Sequence, residues 1–133
     1  MGAALQTGDF VALVGELGAG KTLFVKAAAE GAGAEAASSP SFALVNRYRG
    51  PVLLQHLDLY RVGSAAELFS LGFDDLLAEP AATLCEWADR AGAALPPDRL
   101  EIAFAHAGPR SRKVRLHATG PRSEKLLDAM LSL

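Results

Sequence analysis

One octapeptide limits what this chain can fold into. Gly15-Glu16-Leu17-Gly18-Ala19-Gly20-Lys21-Thr22 satisfies G-x-x-x-x-G-K-[ST] at every fixed position. The glycines allow backbone angles that side chains forbid, so successive N–H groups can turn inward on an anion. Together with the N-terminus of a following helix they form a ready phosphate site. Lys21 adds a mobile positive charge for the β- and γ-phosphates, and the Thr22 hydroxyl is placed to ligate Mg2+. With this chain's own frequencies of Gly, Lys, Ser and Thr, a random match somewhere has a chance of roughly 0.3%. The flanks fit the motif. Phe10–Val14 (FVALV) is a continuous apolar run, the mark of a strand buried on both faces. Lys21 to about Glu30 is Ala-rich with Leu23, Phe24 and Val25, which predicts a helix, and Gly31 and Gly33 stop it. Phosphate contacts are expected from Gly15 through Leu23.

A motif of this kind needs a layered sheet around it, and the composition allows one. The 133 residues are 50% hydrophobic and 21% charged, which excludes general disorder and sets a prior of one domain. The apolar half holds 26 Ala and a single Ile, Ile102. Acidic and basic residues number 15 and 13, for a net charge of −2. An autonomous nucleic-acid binder would carry a basic face, so that class is disfavoured. No apolar run approaches the ~20 residues of a membrane span, and MGAALQTGDF lacks the plan of a signal peptide. One cysteine, Cys85, permits no internal disulfide, and His56, His106 and His117 lack zinc spacing. The expectation is a cytoplasmic domain spanning residues 1–133.

The rest of the chain reads as alternating elements. Gly31–Pro40 is small-residue loop. Ser41–Tyr48 and Val52–Leu59 read as strands around the turn Arg49-Gly50-Pro51. Ser64 and Glu67 form a capping box for a helix through Phe69, continued as helix or tight turn over Leu71–Leu77. Thr83–Glu86 is a short buried strand, and Ala93–Asp98 a proline-bearing linker. Leu100–Ala105 and Val114–Ala118 read as a hairpin about Gly108-Pro109, and Ser123 as the cap of a final amphipathic helix. The layout is a three-layer α/β domain.

A phosphate-binding loop needs carboxylates at nearby strand ends to hold and hydrate the metal. Asp58 and Glu86 both end predicted strands, and sequence leaves open which lies nearer the metal. His56 and Asp58 share a strand face, where a packed histidine is favoured over a metal pair. Ser39-Pro40-Ser41-Phe42 reads as a switch-like segment that senses the γ-phosphate or positions water. Cys85 reads as core. Trp87 reads equally as packing or as an exposed contact. Arg110, Arg112, Lys113 and Arg115 form a basic stretch, read as a solvated face with phosphate or partner contact as the alternative.

Taken together, these segments resemble the TsaE (YjeE) family of P-loop ATPases in bacterial threonylcarbamoyladenosine synthesis on tRNA. GDFVALVGELGAGKT carries the P-loop, SPSFALV the family's S-P-T-[FY]-x-L-V, and HLDLYR its H-x-D-x-Y-R. AELFSLGFDDLL, LCEW and LPPDRLEI follow in family order, so the resemblance covers about residues 8–115. It implies a P-loop NTPase-like fold with a central mostly parallel sheet, and ATP and Mg2+ as cofactors. By position it implies Thr22 and Glu86 on the metal side, with Glu86 in the Walker B role. Asp58 would be a second essential acid near the γ-phosphate, Ser41 would stand for the family's threonine, and Arg110 for an arginine near the nucleotide. The partners implied are TsaB and TsaD, which handle the tRNA. Family members carry a further segment, with a threonine, ahead of the P-loop strand that here begins at Phe10, which bears on base-side contacts and one sheet edge.

The function implied is a weak ATPase harnessed by partner proteins. A nucleotide-binding regulatory subunit without useful turnover is the alternative from another class. A small-molecule P-loop kinase would need an acceptor site and an Arg-rich lid, and no such insertion is evident. Asn46-Arg47-Tyr48-Arg49 is not the Asn-Lys-x-Asp base-recognition motif of a GTPase.

Overall fold

The apolar run ahead of the glycines forms strand β1 (Phe10–Gly15), and it is paired on both sides. A computed structural model of the chain describes residues 4–15, 21–36, 45–60, 62–109 and 111–132. Its sheet has seven strands: β1, β2 (Glu35–Ala36), β3 (Val45–Arg49), β4 (Leu54–Asp58), β5 (Ala82–Glu86), β6 (Leu100–Gly108) and β7 (Ser111–Ala118). The order across the sheet is β2-β3-β4-β5-β1-β6-β7. The central four strands, β4-β5-β1-β6, run parallel, and antiparallel pairs close both edges. The α-helices among the described residues are α1 (Lys21–Gly31), α2 (Ala65–Ser70), α3 (Phe73–Leu77) and α4 (Pro121–Leu131).

Alternation along the strands divides the interior into two cores. Val11, Leu13, Leu54, Leu84, Leu100 and Ile102 face one side, where Val25, Ala28 and Ala29 of α1 and Leu126 of α4 cover them. Phe10, Ala12, Leu57 and Cys85 face the other, beneath Leu68 of α2, Phe73 of α3, and Ala88 and Ala91 of a 3₁₀ helix over Ala88–Ala94. The result is the three-layer α/β architecture, with a parallel centre because crossover helices lie on both faces.

Local chemistry sets most element ends. Past α1, Gly33 adopts φ +66°, its N–H reaches the Glu30 carbonyl, and the Ala34 N–H reaches that of Ala29. Those two bonds are a Schellman stop, which needs glycine at the left-handed position. At α2 the Ser64 hydroxyl accepts from Glu67 N–H at 3.2 Å, as the capping box predicts. The Glu67 carboxylate takes the N–H of Gly63, one residue earlier than the box requires.

Three features differ from the sequence reading. β2 lies inside the expected loop Gly31–Pro40; two residues paired with Tyr48 and Arg49 leave no periodic signal. The 3₁₀ helix reaches into the expected linker, and Gly92 (φ 51°, ψ −122°) kinks it. Finally, α4 begins at Pro121, so Ser123 sits inside the first turn, where its hydroxyl accepts the N–H of the N-cap residue Gly120 at 3.0 Å but takes none of the helix's own N–H groups. The cap comes from Asp98, 25 residues upstream of Ser123. Its carboxylate accepts the backbone N–H groups of Arg122 (2.8 Å) and Ser123 (3.0 Å) and the Ser123 hydroxyl (2.6 Å). A tertiary cap cannot be read from local sequence.

The Ser123 hydroxyl and these N–H groups hold the Asp98 carboxyl below its ordinary value of 3.8. A lowered native pKa stabilises the fold above the ordinary value and is lost as pH falls through the native one. Acid titration should therefore show the cap's contribution to α4 docking fully present above pH 3.8 and lost as pH falls through the lower native value. In Asp98→Asn, hydrogen exchange of the α4 amides should be faster at neutral pH and lose most of this acid dependence. Unchanged exchange at both pH values would exclude the cap.

Candidate functional site

β1, β4 and β5 end at the same edge of the sheet, and the chemistry-bearing residues stand there. In the parallel register Leu13 lies beside Glu86, and Glu86 beside Asp58. Neighbours in register point to one face, so both carboxylates lie on the side covered by α1. Open α/β sheets bind ligands in this place, outside the carboxyl ends of the strands. Residues 16–20 link β1 to α1, so the helix also begins at this edge.

The two acids differ in setting. Glu86 is 4% exposed, and its Oε2 lies 2.5 Å from His56 Nε2. Asp58 is exposed, and its Oδ1 accepts the Tyr60 N–H at 3.0 Å, closing a turn just past β4. His56 is itself buried and on the same face as Asp58, but its partner is Glu86. The packed-histidine reading thus fits its burial, while the His–carboxylate contact escaped the sequence reading. The signal was present: in H-x-D the two side chains share a strand face, and the acid paired with Asp58 on the neighbouring strand projects from that same face. Mg2+ takes hard oxygen ligands and usually keeps one or two protein carboxylates, so the donor set of Glu86 and Asp58 fits that ion.

Gly15 explains why the motif opens on glycine. Its φ is +134°, and a Cβ there would lie 2.1 Å from the Phe104 carbonyl oxygen. The rigid backbone of β6 is the obstacle, so the first glycine serves strand packing as well as the loop. Trp87, directly after Glu86, takes φ 57°, the only positive φ among the described non-glycine residues. Its ring packs 5.1 Å from that of Tyr60, and the Arg90 guanidinium lies 5.3 Å from the Trp87 ring centre. Arg90 also donates to the Val62 carbonyl at 3.2 Å. The indole is half-buried, so it serves both packing and surface.

Cys85, the residue before Glu86 and in register with Leu57, points into the opposite core and is fully buried. Burial first, and then the nearby charges of Asp58, Glu86 and Asp89, push its thiol far above the ordinary range. Of the other expected site residues, Lys21, Thr22 and Leu23 open α1, described by its backbone path. Glu16, Leu17, Gly18, Ala19, Gly20, Ser41 and Arg110 lie outside the described residues.

A family model described as threonylcarbamoyl adenosine biosynthesis protein TsaE matches residues 1–114. The chain belongs to the TsaE family. Among its relatives is the tRNA threonylcarbamoyladenosine biosynthesis protein TsaE of Bacillus subtilis, 38% identical over 94% of this chain and 79% of that protein. The protein of the same name from Treponema pallidum is 36% identical over 78% of each. The crystal structure of Bacillus subtilis YdiB superposes with a TM-score of 0.80 at 34% identity, covering 98% of this chain and 82% of that one. The P-loop NTPase-like fold is thus the family's. Among the described residues, no helix is long and apolar enough to cross a membrane.

Two outcomes follow from this geometry. Gly15→Ala should cost about 3 kcal/mol in chemical denaturation, since positive-φ strain and backbone overlap add; a loss under about 0.5 kcal/mol would mean β6 yields freely. Cys85 should resist maleimide at neutral pH in the native protein and react within minutes in denaturant, because the thiolate is the nucleophile. Rapid native labelling would contradict its burial.

Proposed function

We propose that this TsaE-family chain binds ATP with Mg2+ at the β1–α1 turn and hydrolyses it weakly, in support of a TsaB–TsaD-type pair that modifies tRNA. The observation that carries the reading is the position of Glu86. It is a buried carboxylate on the α1 face, level with Leu13, two residues before the glycine that opens the phosphate-binding motif.

In this reading the backbone N–H groups of Gly15–Thr22 cradle the phosphates, and the Lys21 ammonium offsets their charge. Mg2+, when bound, neutralises charge on the phosphate oxygens. Thr22 and Glu86 hold the metal side. Asp58, exposed at the next strand end, orients the attacking water and takes its proton. Water oxygen bonds to the γ-phosphorus as the bond to the β-phosphate oxygen breaks, giving ADP and inorganic phosphate. The Ser41 hydroxyl contributes from the γ-phosphate side, and Arg110 is an arginine near the nucleotide. With a net charge of −2 the chain reaches tRNA through its partners. The cytoplasm is the compartment proposed for this activity.

Phosphate release should be measured for the chain alone and mixed with TsaB and TsaD, with Lys21→Ala as control. The expected result is slow turnover that rises on mixing and falls by at least about 100-fold in the variant. Nucleotide binding with no turnover under either condition would favour the regulatory subunit, and unchanged binding by Lys21→Ala would exclude the P-loop assignment.

A further inference from the structure

His56 occupies a costly position. Its ring is buried on the sheet face that carries Leu54 of β4 and, opposite it in register, Leu84 of β5, and Nδ1 has no partner among the described residues. An unsatisfied buried polar atom costs about 1–3 kcal/mol, so a leucine or phenylalanine would serve packing better. The contact that offsets this cost is Nε2 with Glu86 Oε2 at 2.5 Å. With Glu86 ionised, a carboxylate can only accept, so Nε2–H donates. Register explains why the two meet. His56 lies opposite Leu84, two residues before Glu86 on the parallel neighbour, so both project from one face and the ring reaches diagonally forward.

We propose that His56 is a positioning residue for Glu86: its Nε2–H fixes one carboxylate oxygen and so sets how the other meets a bound Mg2+. This rests on the ATP and Mg2+ reading above. Hydrogen bonds behind a metal ligand orient it, and removing one typically weakens metal binding by about 10–100-fold. A lone carboxylate at a strand end keeps several rotamers. One clamped by a buried imidazole keeps one, and the ordering cost is met on folding rather than on binding.

The test uses the full chain with ADP and titrates Mg2+ calorimetrically into the complex, with ADP binding in chelator and thermal melting measured alongside. His56→Phe keeps the ring volume without the donor, and His56→Gln restores an N–H able to reach the carboxylate. Glu86→Ala sets the scale for losing the ligand itself. Expected are about 10-fold or greater weakening of Mg2+ affinity in His56→Phe, ADP affinity in chelator within about twofold of the parent, and recovery of most of the loss in His56→Gln. Should His56→Phe fail to fold, His56→Asn, too short to reach Glu86, takes its place. Mg2+ affinity within about twofold of the parent in the donor-less variant overturns the inference, as does a His56→Gln protein that is folded yet equally impaired. A parent that binds ADP but takes up no Mg2+ overturns the function proposed above, and the inference with it.

Discussion

The parallel pairing of β1 with β5 on one side and β6 on the other is the constraint on which the site depends. It buries the strand on both faces, which demands an unbroken apolar sequence and helices above and below. It also brings the carboxyl end of β1, where the glycine-rich turn begins, level with the end of β5. Extending the parallel ladder to β4 brings Asp58 beside Glu86. Three strand ends that are far apart in the chain thus deliver their side chains to one edge. A single-residue slip in either pairing would turn a carboxylate to the other face, because side chains alternate along a strand.

Small residues make this arrangement close-packed. Ala12, Ala28, Ala29, Ala82, Ala88 and Ala91 are all buried, so α1 and the 3₁₀ helix approach the sheet closely. Each buries less apolar surface than Leu or Ile would, and stabilises correspondingly less. Polar ties from element to element supply part of the difference. Gln55 on β4 donates to the Leu76 carbonyl of α3 at 2.9 Å. The buried Asp9 carboxylate takes the Gln6 N–H at 2.8 Å and meets the Arg122 guanidinium at 3.4 Å, which joins α4 to the start of β1.

Where β5 ends, the backbone leaves the regular range. Trp87 in the left-handed region carries strain of order 1–3 kcal/mol for a bulky side chain. The tilted Tyr60 ring packed against it and the guanidinium of Arg90, itself anchored on Val62, hold it there. The sharp turn sends the chain away from the sheet immediately after Glu86, so the acid ends its strand at the site and is not followed by more sheet. Strain of this kind is found where a functional residue must be presented in one orientation.

Much of this was legible in the residues themselves. The apolar run and the Ala-rich stretch on either side of the glycine-rich motif marked β1 and α1, because strand and helix patterns follow local backbone rules. H-x-D at the end of one strand and an acid at the end of another marked Asp58 and Glu86, since the alternation of a strand is a property of sequence. Other features depended on which strand lay beside which. The pairing of His56 with Glu86, the capping of α4 by Asp98, the two-residue strand β2 and the clash that requires glycine at position 15 all join segments distant in the chain. Sequence by itself determined the elements and the chemistry they carry, because periodicity and turn preference act over a few residues. Only the tertiary structure decided which carboxylate is buried, what holds it and what it faces, because those are fixed by long-range register and packing.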